Sequence, residues 1–337
     1  MRAAPANRFQ WLLVFIGAIA ALVMVVAYAR VLADMGLMFV DWLTYTRAFE
    51  RLVDGSSIYA AAQLAGPYHM TDTLTIGYSY PPASLPLFAP FAWYPVGLGL
   101  WVLLNVGLFL TGLWAVARRE LGSLTAGGFG VALLCLAGMT AWGEGVAGGN
   151  INVALAGILA WAWVIGRGRV GAIAGVLAVV KVVPGSLAFW ARPSTLARSL
   201  VAAAIAAVLV CALTLPLVGI DSWLDFLKAL GNAEPTCEYP IPSLACAAAP
   251  VTGMVSAKVL GIAVGCALAV GAVLVRDDYH SFCLATFAWI APTADMHVHS
   301  WLTVFVLAFV GAARLVGRRQ RRATIASLSS SRTSLAG

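Results

Sequence analysis

Long apolar stretches separated by short polar ones frame this sequence. They can be drawn at about 11–33, 83–95, 97–117, 124–142, 151–166, 170–190, 199–219, 251–275, 281–293 and 299–316, and those near 20 residues suffice to cross a hydrocarbon core as helices. Two depart from the pattern. The stretch at 83–95 is short and holds Pro86 and Pro90, and that at 170–190 is interrupted by Lys181-Val182-Val183-Pro184. Proline ends a helix, and broken backbone at membrane depth must line protein or a cavity. The first is therefore expected as a re-entrant piece and the second as a hairpin of half-helices entering from the opposite side. The expected fold class is all-α, a polytopic transmembrane helical bundle of about 8–10 spans counting such short segments.

The longest polar break follows the first stretch. Within it Phe39, Trp42, Leu43, Thr46, Phe49 and Val53 recur at helical spacing, which predicts a short helix lying on the bilayer with its apolar face down. Asp41 then sits at the lipid boundary. The expected organisation is one integral-membrane domain over 1–316, with extracytoplasmic loops at 34–82 and 220–250. A Ser-rich tail at 317–337 is expected to be a disordered cytoplasmic segment.

Composition agrees with a membrane protein: 61% of the 337 residues are hydrophobic and 10% charged, and mean hydropathy is +0.90. The net charge of +7 does not point to nucleic acid, because the basic residues gather at span ends. Arg2 and Arg8 precede the first span and Arg314, Arg318, Arg319, Arg321 and Arg322 follow the last, a positive-inside pattern. With the two short stretches treated as above, Arg118, Arg119, Arg167, Arg169, Arg192 and Arg198 fall on that same cytoplasmic side, and most acids fall on the other. The first stretch has no clear cleavage site before Asp34 and reads as an uncleaved helix.

Polar groups concentrate in a few places: Asp41 with Arg47, Tyr78-Ser79-Tyr80-Pro81-Pro82, Gly143-Glu144 through Asn150, Lys181 with Pro184, and Asp295-Met296-His297-Val298-His299. Each has a structural explanation: a helix cap, interfacial tyrosines before a proline stop, close backbone packing at glycines, a snorkelling lysine. Two histidines at i and i+2 share a side only in extended backbone, and no third ligand is visible, so no metal is expected. Taken together, the early Asp on a short helix after the first span and the Tyr-x-Tyr-Pro-Pro that ends the loop resemble glycosyltransferase family 87, the DUF2029 family of GT-C-type mannosyl- and arabinosyltransferase-like proteins. The resemblance runs from about Phe39 to Ala312.

The resemblance implies a membrane enzyme that takes a sugar from a polyprenyl-phosphate donor and gives it, with inversion, to a hydroxyl of a glycolipid or glycan acceptor on the outer side of the inner membrane, without a cofactor. Asp41 would be the general base, and Lys181, with Arg47 as a second candidate, would meet the donor phosphate. Tyr78, Tyr80, Glu144, Asn150, Asp295, His297 and His299 would contact sugar or acceptor. Glu144 stands where the family shows Gln, and Val182-Val183 separate the family's Lys-Pro pair. The bilayer and these substrates are the expected partners, and nucleic acid is not. A secondary transporter or flippase is the competing expectation, since broken segments around Lys181 would suit one; an inactive scaffold is a third.

Cys237 and Cys246 flank the loop at 238–245. Two free thiols fit the sequence, and so does a bridge contributing about 2–3 kcal/mol. If the loop faces an oxidising compartment, mass spectrometry of non-reduced peptides is expected to recover the two cysteines linked; two alkylatable thiols in protein from native membranes would contradict it.

Overall fold

The computed structural model describes residues 7–69, 77–234, 244–292 and 298–334. The chain is an all-α bundle: α1 (Arg8–Asp34), α2 (Val40–Val53), α3 (Ala61–Ala65), α4 (Leu85–Phe88), α5 (Val96–Leu121), α6 (Thr125–Ala137), α7 (Thr140–Ala147), α8 (Asn152–Ile165), α9 (Gly171–Lys181), α10 (Pro193–Val218), α11 (Asp221–Asn232), α12 (Leu244–Thr252), α13 (Met254–Leu274), α14 (Asp278–Ile290) and α15 (Trp301–Ser334). Among the described residues the only strands are β1 (Tyr68–His69) and β2 (Ala233–Glu234), a short parallel ladder. Among the described residues four helical stretches, Arg8–Asp34, Val96–Ala137, Pro193–Val218 and Trp301–Ile325, are long and apolar enough to cross a membrane. The pair α7 and α8, bent by 118°, passes the same test together and is either a broken fifth span or a re-entrant loop. α9 and the Val259–Leu274 part of α13 are shorter apolar helices.

Small residues let these helices approach closely. A Cβ on Gly17 of α1 would lie 2.7 Å from the Gly130 carbonyl of α6, and one on Gly112 of α5 would lie 2.6 Å from the Gly157 carbonyl of α8. In a bilayer the association of apolar helices rests on such packing, because lipid is as apolar as a helix face.

The 170–190 stretch is the expected hairpin. α9 runs to Lys181, a 3-10 segment over Val183–Phe189 returns, and the Gly168 amide donates to the Trp190 carbonyl at 3.0 Å, so both feet of the hairpin lie at one end and Lys181 at its tip. Pro184, which has no amide to give, marks the reversal. The 82–91 segment likewise starts and finishes at one end. The Tyr59 hydroxyl donates to the Tyr80 carbonyl at 2.7 Å and Trp42 Nε1 to the Phe91 carbonyl at 2.9 Å.

Two expectations need correction. Protein rather than lipid covers most of the expected apolar face of α2: Trp42 and Thr46 are buried and Phe39, Leu43 and Phe49 half-buried, while Val53 at its end is exposed. Hydrophobic periodicity identifies an apolar face without saying whether lipid or protein covers it. The tail after Gly317 is helical through Ser334 rather than disordered. Its Arg-rich opening, free of proline and of further glycine until Ser334, has good helix propensity and simply prolongs α15.

At the end of the bundle away from α2, arginines cap helix C-termini. Arg119 donates to the carbonyls of Trp163 and of Val164, the latter at 2.8 Å. Arg167, almost fully buried, donates to the carbonyls of Ala272, Val273 and Ala191 at 3.0, 3.2 and 3.2 Å. A cation at a helix C-terminus meets both orphan carbonyls and the dipole. Arg314 pairs bidentately with Asp277 at 2.9 and 2.7 Å, and Asp277 in turn caps α14 through the amides of Tyr279 and His280.

The Arg314 hydrogen bonds hold the Asp277 carboxyl well below the usual carboxylate range. A depressed folded pKa gives stability that is fully present above the unfolded value of about 4 and lost as pH falls below it. At neutral pH, Asp277→Asn is expected to cost about 1–2 kcal/mol, read as a lower thermal midpoint of the purified protein; at pH 3 the gap between variant and wild type should narrow.

Candidate active site

Asp41 is the second residue of α2, and it is positioned by backbone rather than by a side-chain cap. The α2 N-cap, Phe39, has φ 58° and makes no capping bond. Instead the Phe39 amide donates to the Ala147 carbonyl at 3.0 Å, and the Asp41 and Trp42 amides donate to the Gly148 carbonyl at 3.1 and 3.4 Å. The first amides of one helix are thus satisfied by the last carbonyls of another. The turn that offers them is glycine because it must be: a Cβ on Gly148 would lie 3.1 Å from Asp41 Oδ2, and Gly149, at φ +70°, would bring one within 3.0 Å of Trp42 Cβ. Trp101 Nε1 fixes the same turn by donating to the Gly149 carbonyl at 2.7 Å.

One helical turn after Asp41, Tyr45 points the same way. Its hydroxyl lies 3.2 Å from that of Tyr80 and accepts the Ile151 amide at 3.4 Å, while its ring stacks on Phe88 at 4.4 Å between centroids. Burial, then the neighbouring Tyr80 and Asp41, push the Tyr45 phenol well above its ordinary range, and burial with Asp41 does the same to Tyr80. Both therefore remain protonated at neutral pH and offer hydroxyls, not charges.

Lys181 comes to the same place from the tip of its hairpin. Its Nζ donates to Asn152 Oδ1 at 2.9 Å and stands 5.6 Å from the centre of the Tyr80 ring, a cation–π arrangement. The Asp41 carboxylate is close enough to act on it as an opposite charge. Asn152, at the start of α8, is in turn oriented by Asn150, whose Oδ1 accepts the Asn152 amide at 2.8 Å. A carboxylate, an ammonium and two phenols so gather from the first loop, the Gly148–Asn152 turn and the α9 hairpin.

The other expected site residues fare differently. Tyr78 is fully buried against Ser84 and the Pro81 carbonyl, as part of the loop's aromatic core. Arg47 is exposed on α2, off the face shared by Asp41 and Tyr45. Glu144 is half-buried on α7, which packs against the turn at Val298–Ser300. Asn150 is buried just before α8, its Oδ1 accepting the Asn152 amide. Asp295, His297 and Cys237 lie outside the described residues, as do the side chains of His299 and Cys246. Sequence reasoning missed Tyr45 and Asn152. Tyr45 was open to detection from its spacing of four residues after Asp41; nothing in the sequence ties Asn152 to Lys181. Among the described residues no group of three His, Cys, Asp or Glu side chains is arranged to hold a metal ion.

Gly149→Ala is expected to cost about 1–2 kcal/mol for the left-handed backbone alone and more for displacing Trp42. Gly55 has a similar φ of +71° with nothing within 4 Å of an added Cβ, so Gly55→Ala carries only the backbone cost. Thermal melts of both variants should show the larger drop for Gly149→Ala; equal drops would mean that the turn tolerates a side chain against α2.

The family model of glycosyltransferase family 87 matches residues 78–336, which include Tyr80, the Gly148–Asn152 turn and Lys181 and begin after Asp41. No curated protein and no solved structure gives a significant match. With more than half of the chain matched, this protein belongs to glycosyltransferase family 87.

Proposed function

We propose that the chain transfers a sugar, mannose or arabinose-like, from a polyprenyl-phosphate donor to a hydroxyl of a glycolipid or glycan acceptor, with inversion, at the outer side of the inner membrane. The observation that carries this reading is the Lys181 ammonium 5.6 Å from the centre of the Tyr80 ring, with the Asp41 carboxylate near enough to act as a charge on both groups. Transfer to a hydroxyl needs a base for its proton and a cation for the departing phosphate, and these are the two groups gathered here. The Asp41 carboxylate takes the proton of the acceptor hydroxyl as that oxygen attacks the anomeric carbon. The bond from that carbon to the phosphate oxygen breaks on the opposite face, its electron pair leaves with the polyprenyl phosphate, and Lys181 balances the charge that develops. An ammonium has three N–H donors; Asn152 takes one and so aims the rest. The orientation follows from the arginine-capped end, which the positive-inside rule assigns to the cytoplasm.

Asp41→Asn keeps the side-chain volume but removes the base, so kcat should fall by about 10²–10⁴ with donor binding retained. Lys181→Met should instead raise the donor KM about tenfold or more, the worth of a charge-assisted hydrogen bond. The measurement is transfer by purified protein from a panel of radiolabelled polyprenyl-phosphate sugars, with donor binding followed separately. Folded Asp41→Asn protein working at the wild-type rate would take Asp41 out of the mechanism.

A further inference from the structure

α11 presents three faces. Ser222, Phe226 and Ala229 are buried against the protein. At about 100° per residue, Ile220, Leu224 and Leu227 fall on the opposite side, and each is more than half exposed. Asp221, Asp225 and Lys228 lie between these two, on one flank. The exposed stripe does not begin with α11. Leu209, Leu213 and Leu217 of α10, a helix long and apolar enough to cross a membrane, are also more than half exposed; Gly219, at φ 72° and ψ 162°, ends that helix, and exposed apolar positions resume at once with Ile220, Leu224 and Leu227. Exposed apolar residues therefore run from the last turns of the span directly into a helix whose flank is charged.

We propose that α11 is seated in the membrane interface, its leucine stripe in the acyl boundary of the bilayer and its Asp221–Lys228 flank in water. The occupant of the stripe is lipid, because only Gly219 and Ile220 separate α11 from a helix long and apolar enough to cross a membrane, which sets its start at the membrane boundary, and because a polar flank beside an apolar one is what an interfacial helix requires. The buried face fixes the consequence. Asp225 Oδ2 accepts the Ser57 hydroxyl at 2.6 Å, Asn232 Nδ2 donates to the Gln63 carbonyl at 2.9 Å, and Phe226 packs beside Tyr59. These residues of the first loop lead into Tyr78 and Tyr80. α11 thus holds the loop at a set depth on the membrane, and does so whether or not the site transfers sugar.

The test places the photo-crosslinking residue p-benzoylphenylalanine at Leu213, Leu224 or Lys228 of the full chain in phosphatidylethanolamine–phosphatidylglycerol nanodiscs. After irradiation, intact mass should show one added phospholipid at positions 213 and 224 and little at 228. A covalent dimer from position 224 would make the stripe a contact between copies of the chain and overturn the proposal. Position 224 behaving like 228 while 213 takes lipid would overturn it too, and absence of lipid at both 213 and 224 would remove the continuity on which it stands.

Discussion

The contact on which the site depends is a meeting of two helix ends. α2 starts without a side-chain cap, from a residue in left-handed backbone, and its first amides are satisfied by the carbonyls at the end of α7. Left-handed backbone at a non-glycine residue costs on the order of 1–3 kcal/mol, and unsatisfied amides away from water would cost more. Each end supplies what the other lacks, and the exchange fixes Asp41 to a part of the chain remote in sequence. The 118° bend between α7 and α8 then directs the following residues, Asn150 and Asn152, toward the same point.

Lys181 explains why so many polar groups converge there. An ammonium at the tip of an apolar hairpin is expensive unless it is compensated, and a buried charge needs hydrogen bonds as well as a counter-charge. Asn152, the face of Tyr80 and the Asp41 carboxylate supply these. At the opposite end the arginines face a milder problem. Arg119 and Arg167 find helix carbonyls and Arg314 the Asp277 carboxylate, so the three tie together the ends of α5, α8, α13 and α14 and the middle of α15.

Hydropathy made the bundle legible because a bilayer leaves a backbone few options: Pro184 and Lys181 in one apolar run mark a broken segment in the sequence itself. The cluster of Asp41, Tyr80 and Lys181 was legible through short motifs. What covers an apolar face was not. Trp42 looked as though it faced lipid and instead reaches the Phe91 carbonyl, since protein and lipid reward the same periodicity. Arg167 read as a topological signal, whereas its five-fold donor geometry also ties the 166–170 turn to α13. Tyr78 read as a ligand contact and proved to be core, because an interfacial tyrosine and a buried one leave the same trace in a sequence.

The seat of α2 also bears on how the protein is made. Tyr45 and the Ile151 amide that meets its hydroxyl are 106 residues apart, and the Lys181 hairpin comes later still. A chain inserted from its N-terminus makes Asp41 well before α7 exists to hold it. During that interval the first loop has neither its anchoring carbonyls nor its aromatic partner at Trp101, and Lys181 arrives in the bilayer only after Asn152 is there to receive it. The order of synthesis therefore delivers the acceptor side chain ahead of the buried charge, so the costliest residue of the bundle enters a membrane that already contains its partners.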